Sequence, residues 1–328
     1  MPTWRGRSAV ADVNRTDING TVGSGLARPL VSIIVPSFNQ GRFIRRTLQS
    51  ILSQDYRPIE IIVMDGASTD ETVAILEEFS SAPELQWVSE PDRGVVEAVN
   101  KGFARARGEF GAIQSSDDFY LPGAIGAGVA ALESDPALAF VFGDIVKVDA
   151  DGRELARTQL APYSLEGVLT METWIPQPST FFRMALAKTL GGWREEVPYA
   201  ADTDLWLRMA LQAPARKIDR LMAERSVHEA QRDTQGKRIV RDYTRAIETL
   251  PGLDATPARV RRAARAGTLL MANRYDADAG AFARAGRLWR AVMHMPALAG
   301  RIPWQAFLPF ALDWRSLARS VARRVGLR

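Results

Sequence analysis

Between residues 31 and 142, short apolar runs rich in β-branched residues alternate with segments of helical periodicity. This rhythm restricts the architecture more than any other feature of the chain. VSIIV, Val31 to Val35, reads as a buried strand closed by Pro36. Arg42 to Gln54 then carries Phe43, Ile44, Leu48, Ile51 and Leu52 at helical spacing. EIIVM, Glu60 to Met64, is a second buried strand, and Ser68 with Glu71 reads as a capping box opening a helix that runs to Phe79. Leu85 to Val88, Phe110 to Ile113 and Leu138 to Phe142 complete the strands, with helices expected over Val95 to Arg107 and from Pro122 to Ser134. Strands that are apolar throughout are covered on both faces. The expected fold class is therefore α/β, a mainly parallel sheet with helices on both faces and an α-helical C-terminal region. Ligands of such sheets gather outside the carboxyl ends of the strands.

After Gly143 the rhythm changes. Ile145–Val148, the turn at Asp149 to Gly152 and Glu154–Thr158 predict a β-hairpin. TWIPQPSTFF, Thr173 to Phe182, leads to a helix ending at Gly191 and Gly192, and Asp202 to Gln212 is strongly helical. From about Thr256 onward the pattern is Ala/Arg-rich helix broken by Pro296, Pro303 and Pro309. The chain of 328 residues exceeds what one typical core needs. The expected division is a flexible extension over 1–28, a main α/β domain over 29–235 and an Arg-rich helical region over 236–328 that docks on a membrane or a partner. The first residues lack the apolar centre of a secretory signal, and no apolar run approaches the roughly 18 residues of a membrane span, so the expected compartment is the cytoplasm.

Composition limits the chemistry. There is no cysteine, hence no disulfide framework, thiol nucleophile or thiolate metal site, and only His228 and His294 offer imidazoles. Polar chemistry must rest on carboxylates. Charge is unevenly spread: from residue 251 onward 14 Arg stand against 4 Asp, a net +10, which leaves −6 on the first 250 residues. In the tail Arg315, Arg319 and Arg323 share one helical face, opposite Trp314, Leu317, Val321 and Val325; Trp289, Trp304 and Phe307 extend the same composition. Two readings stand: an amphipathic basic helix lying on an anionic leaflet, or a helical subdomain packed on the body or on a second subunit.

Acidic residues recur where strand gives way to loop. Asp65 follows EIIVM, Asp117 and Asp118 follow the Phe110 strand after Gln114-Ser115-Ser116, and Asp202 and Asp204 open a helix. Each has a plain structural alternative: a turn residue for Asp65, a helix start for the Asp pair, an N-cap for Asp202. Together on one sheet edge they suit a divalent metal, Mg²⁺ or Mn²⁺, carried with a substrate diphosphate, because hard oxygen ligands and phosphate oxygens complete such sites. The loop after the first strand, Pro36 to Gly41, is not the Gly-rich phosphate turn of a dinucleotide-dependent oxidoreductase.

Three blocks then resemble the inverting family 2 glycosyltransferases of GT-A fold: PLVSIIVPSFNQGRFIRRTLQSILSQDYRPIEIIVMDGASTDETVAIL, SEPDRGVVEAVNKGFARARGEFGAIQSSDDFYLPGAI and IPQPSTFFRMALAKTLGGWREEVPYAADTDLWLRMA, in that order. The resemblance covers about residues 29 to 235. It implies a metal-dependent, inverting transfer of a sugar from a nucleotide-sugar, UDP being the commonest nucleotide, to a hydroxyl acceptor. That acceptor would be a lipid-linked glycan in cell-surface polysaccharide or glycolipid synthesis, at the inner face of the plasma membrane, with no nucleic-acid partner. It further implies that Pro36, Phe38, Asn39, Asp65, Asp92 and Asp117 bind the nucleotide-sugar and that Asp118 and His228 hold the metal. Asp202 would be the catalytic base, supported by Asp204 and Trp206, with Gln177 and Trp193 on the acceptor or donor-sugar side. Structural alternatives are a surface histidine for His228 and core packing for Trp193 and Trp206. Ala201 stands where many members have Glu, Glu97 where Asp is frequent and Val96 where an aromatic is common. These departures leave fold and transfer chemistry intact and the donor sugar open. A non-catalytic nucleotide-sugar-binding module is the alternative from another class.

Overall fold

The computed structural model describes residues 28–228, 235–276, 279–303 and 306. Among them nine strands form one sheet. Its parallel half is β3 (Leu85–Ser89), β2 (Ile59–Asp65), β1 (Val31–Ser37) and β4 (Phe110–Ile113), with Val31 in register with Ile59 on one side and Phe110 on the other. The other half mixes directions. β8 (Thr180–Arg183) is antiparallel to β4 and to β6 (Phe140–Asp149), β9 (Ala215–Val227) is parallel to β6, and β5 (Phe119–Tyr120) is antiparallel to β9. The expected hairpin is present as β6 with β7 (Glu154–Arg157).

Strand periodicity sorts side chains into two cores. Val31, Ile33 and Val35 point to the face covered by α1 (Gly41–Leu52), where they meet Ile44 and Leu48. Ile34 points to the other face, against Val99 and Phe103 of α3 (Val95–Arg105) and the cluster of Trp206 on α7 (Ala201–Ala210). Each of these core side chains is buried, so the sheet is covered on both sides. Of the remaining short helices, α2 spans Thr72–Glu78, α4 Ala124–Ser134, α5 Leu165–Leu169 and α6 Met184–Thr189.

Two local expectations change. β1 does not stop at Pro36 but continues through it to Ser37. Gln114 donates to the Ile34 carbonyl and Gly66 to that of Ser37, so even positions of β1 face β4 and odd ones face β2. The donor that proline lacks thus falls on the side where β4 has already ended at Ile113. The Ser68–Glu71 capping box is not formed either. α2 begins at Thr72, and Asp70 does the capping: its Oδ1 accepts from the Thr72 amide (3.0 Å) and its Oδ2 from the Gly41 amide (2.9 Å), joining the starts of α1 and α2. Burial opposes the Asp70 charge, but hydrogen bonds from Thr72 and Gly41 outweigh it and hold the carboxyl below the usual range.

The helices after residue 235 pack against this body. α8 (Gly236–Glu248) and α9 (Ala258–Tyr275) place Tyr243, Val260, Ala263 and Ala264 in the same cluster as Trp206. A Cβ on Gly267 would lie 1.9 Å from the Leu169 carbonyl oxygen, so glycine is what lets α9 lie directly on α5. α10 (Ala281–His294) follows and packs on α9 through Ala291, against Ala266. The tail residues Trp304, Phe307, Trp314, Arg315, Leu317, Arg319, Val321, Arg323 and Val325 lie outside the described residues, as does the 1–27 part of the expected N-terminal extension.

Candidate active site

A cleft of about 1050 Å³ opens at the carboxyl ends of β1 and β4. Pro36, Phe38, Asp92, Asp117, Asp118, Gln177, Trp193, Asp202 and His228 all line it. Pro36 and His228, 192 positions apart in the chain, therefore share one space.

At the β1 end, Phe38 is 59% exposed, an aromatic face presented to the cleft rather than to the core. Asn39 and Asp65 stand behind it. Asn39 adopts φ 53°, its amide donates to Ser68 Oγ (2.7 Å), and its Oδ1 accepts from the Thr69 amide (2.9 Å). Asp65, nearly fully buried, accepts from the Ser68 amide (2.9 Å) and from Ser89 Oγ (2.6 Å). Both side chains fasten the loops after β1, β2 and β3 to one another, and neither is among the residues lining the cleft. Asp92 does line it, and its Oδ1 accepts from the Gly94 amide (2.7 Å). A Cβ at Gly66 would come within 2.9 Å of Asp92 Oδ2, so the close approach of these two loops depends on that glycine.

The turn after β4 is held from three directions. Thr47 Oγ1 donates to the Ser116 carbonyl (2.8 Å), the Asp118 amide to Ser115 (3.0 Å), and the Ser226 amide at the end of β9 to Asp118 Oδ1 (3.0 Å). Asp118 is thereby buried and tied to β9. Asp117 reaches the imidazole: His228 Nε2 lies 3.0 Å from its Oδ2, and the ring stacks on Phe43 with centroids 4.9 Å apart. Their side chains keep only 12% and 16% exposure, so the pair is preorganised and shielded. His228 is thus not a loose surface residue. Among the described residues no cluster of three or more His, Asp or Glu side chains gathers as a closed metal cage. An imidazole and a carboxylate facing one opening nonetheless fit a cation whose remaining ligands come from a diphosphate and water.

In the same cleft, Asp202 opens α7, half-buried, with the Thr203 amide donating to its Oδ1 (2.7 Å). Acids are favoured in a first helical turn. Asp204, two residues further, points inward, wholly buried between Arg194 and Arg208. Gln177 accepts from Ser115 Oγ (3.0 Å) and donates to the Ile113 carbonyl, which pins the Gln177–Ser179 turn to the end of β4. The Trp193 amide donates to Asn100 Oδ1 (2.9 Å) and its carbonyl accepts from Asn100 Nδ2 (2.8 Å), while its Nε1, like that of Trp206, is buried without a partner among the described residues. An unmet buried donor costs on the order of 1–3 kcal/mol, which a sugar hydroxyl or a water relieves.

The cleft has a wall that sequence patterns did not announce. Tyr199, Ile239, Tyr243, Met271, Arg274 and Tyr275 line it, mostly from α8 and α9. Arg93 also lines it and ties Glu97 (2.6 Å) to Glu195 (2.7 Å) at its mouth. Tyr199, three residues before Asp202, was open to detection by proximity. Nothing in the Ala/Arg-rich pattern of α9 distinguishes Arg274 or Tyr275.

Similarity to known proteins decides the family. The model described as "Glycosyl transferase family 2" matches residues 32–191. An uncharacterized glycosyltransferase of Mycobacterium tuberculosis is 35% identical over 187 residues, 56% of this chain and 70% of that protein. The chain belongs to glycosyl transferase family 2. This glycosyltransferase is also 28% identical over 205 residues to the Escherichia coli chondroitin synthase, covering 61% of itself and only 29% of that protein's length. Its fold is the GT-A fold of the mannosyltransferase PcManGT from Pyrobaculum calidifontis in complex with GDP-Man and Mn²⁺. That match has a TM-score of 0.62 at 21% identity, covering 92% of this chain and 84% of that one. S. aureus TarS 1-349 in complex with UDP-GlcNAc matches with a TM-score of 0.56 at 18% identity, over 84% and 93%.

Proposed function

We propose that this glycosyltransferase moves a sugar from a nucleoside diphosphate sugar to an acceptor hydroxyl by single displacement with inversion, Asp202 serving as base. The observation that carries the reading is that Asp202, at the start of α7, and the Asp117–His228 pair, at the ends of β4 and β9, line one cleft. One acid on the acceptor side with the diphosphate held on the other is what a single displacement requires. The acceptor oxygen bonds to the anomeric carbon, the bond to the diphosphate oxygen breaks with its electron pair leaving on the diphosphate, and the hydroxyl proton passes to the Asp202 carboxylate. No second carboxylate nucleophile is needed.

The exposed face of Phe38 provides a stacking surface for the base, and Asp92 provides an acceptor in the nucleotide pocket. Asp65 and Asn39 act by shaping that pocket from behind. Asp117 and His228 would hold Mg²⁺ or Mn²⁺, with Asp118 fixing the turn that presents them, and a bound divalent ion would neutralise charge on the departing diphosphate. That solved neighbours were obtained with UDP-GlcNAc and with GDP-Man and Mn²⁺ supports the donor class. UDP is the first nucleotide to test. A lipid-linked glycan acceptor in cell-surface polysaccharide or glycolipid synthesis, met at the cytoplasmic face of the membrane, extends the same reading. No described helix is long and apolar enough to cross a membrane. The exposed Phe282 (64%) and Met293 (79%) of α10, beside the exposed Arg284 and Arg290, support contact with an anionic surface.

The test is a panel of UDP-, GDP- and dTDP-sugars, each with Mn²⁺, scored by thermal stabilisation and by release of the nucleoside diphosphate. A stabilising, slowly hydrolysed donor is expected. Stabilisation by none of them, with no turnover, would overturn the proposal.

A further inference from the structure

We propose that two arginine–tyrosine pairs at the Asp202 end of the cleft, Arg238 on Tyr199 and Arg274 on Tyr275, form a subsite for an acceptor sugar bearing an anionic group. This inference rests on the glycosyltransferase reading and names the class of molecule that receives the sugar.

In both pairs an arginine of α8 or α9 stands over a tyrosine ring. The guanidinium of Arg238 lies 5.5 Å from the centroid of the Tyr199 ring and donates to its hydroxyl (2.6 Å). That of Arg274 lies 5.5 Å from the centroid of the Tyr275 ring. The pairs adjoin: a Cβ on Gly236, at the start of α8, would lie 2.6 Å from the Tyr275 carbonyl at the end of α9. They adjoin Asp202 as well, because Tyr199 precedes it by three residues and the Tyr199 amide is held by Asp242 of α8 (2.9 Å). Tyr199, Arg274, Tyr275 and Asp202 line the same cleft.

The two guanidiniums bring positive charge to this corner. Among the described residues neither Arg238 nor Arg274 has a carboxylate partner, although two acids are near. Asp242 is taken up by the Tyr199 amide and Arg241, and Asp276 by Arg287. Arg274 therefore brings an exposed guanidinium to the lining of the cleft that holds Asp202, and Arg238 reaches that lining through the Tyr199 hydroxyl, neither paired with a carboxylate among the described residues. A guanidinium fork matches a carboxylate or a phosphate in two parallel hydrogen bonds, and a tyrosine face covers the apolar side of a pyranose ring. A neutral acceptor would leave this charge unused. A hexuronic acid or a sugar phosphate meets both features at once.

The test measures binding to the full chain without donor, so it does not depend on turnover. Three probes are compared: a disaccharide ending in glucuronic acid, the same disaccharide after carboxyl reduction, and one ending in a 6-phosphorylated glucose. We expect an acidic probe to bind about 10-fold or more tighter than the reduced one, the worth of one charge-assisted hydrogen bond pair. The preference should vanish in the double variant Arg238→Gln/Arg274→Gln and return in part in Arg238→Lys/Arg274→Lys. Both positions are exposed, so melting temperatures should stay near that of the parent. Either anion satisfies the proposal, and the tighter one names the source. Equal binding of acidic and reduced probes, or a preference that survives in the glutamine variant, overturns it. Donor hydrolysis by the same variants is the separate readout: its absence in the parent chain counts against the transferase mechanism, and its persistence in the glutamine variant shows that the donor side is untouched.

Discussion

Asp204 lies wholly buried with Arg208 Nε 2.8 Å from its Oδ2, and Arg194 reaches the same carboxylate from the other side. Arg208 is also buried and donates to the carbonyls of Leu190 and Gly192 (2.6 Å each). The acid thereby ties α7, which carries Asp202, to the end of α6. Removing one partner of a buried pair leaves the other uncompensated, so Asp204→Ala should cost about 3–5 kcal/mol in urea unfolding, nearly all of it through Arg208 because Arg194 is partly solvated. A loss below about 1 kcal/mol would show that the pair is not what anchors the helix.

Asp202→Asn removes only the proton acceptor. We expect donor affinity to stay within a factor of about two and transfer to fall about 100-fold or more. Steady-state kinetics with a saturating donor check it, and unchanged kcat removes Asp202 from the chemistry.

Chelation and His228→Ala probe the cation pair. Excess EDTA should abolish stabilisation by the sugar nucleotide, and His228→Ala should raise the Mn²⁺ concentration needed to restore it about 10-fold, as for loss of a ligand or its support. Full stabilisation in EDTA would mean that the donor is held without a metal.

Glu97 is held down to about 2 by hydrogen bonds from Arg93 and then Lys101. Its folded value lies below its ordinary value of 4.5. The ionised bridge from Arg93 to Glu97 is therefore fully present above pH 4.5 and is lost as pH falls toward about 2. Carboxyl ¹³C titration of labelled protein should find this midpoint, and Arg93→Gln should return it toward 4.5. A midpoint near 4.5 in the parent would mean that the bridge does not form in solution.

Gly267→Ala places a methyl 1.9 Å from the Leu169 carbonyl oxygen, and backbone cannot step aside as a side chain can. A loss of about 1–3 kcal/mol is expected, with weaker acceptor binding as α9 moves outward. An unchanged melting temperature would contradict the close packing of α9 on α5.

Elements with a local signature were legible in the chain. VSIIV and EIIVM became adjacent central strands because an uninterrupted apolar run tolerates only a two-sided environment. Asp117, Asp118 and Asp202 were legible by their places after a strand or at a helix start, Asp92 and His228 only through the family resemblance, and all five line one opening, whereas Asp65 does not. What escaped was set by partners distant in sequence. Ser68 satisfies a capping pattern, yet the buried Asp65 takes its amide. Pro36 breaks a strand by rule, yet β4 ends before its missing donor matters. Arg274 and Tyr275 look like any helix surface until α8 brings Gly236 against them.

The wall formed by α8 and α9 lies wholly beyond residues 32–191, where the family match ends. On the proposed reading, the recipient is chosen by a stretch of polypeptide distinct from the one that carries Phe38, Asp92 and Asp117. On that reading, descendants that retain the chain through His228 and exchange the helical pair would keep their reaction while acquiring a new product, so diversification can proceed one wall at a time.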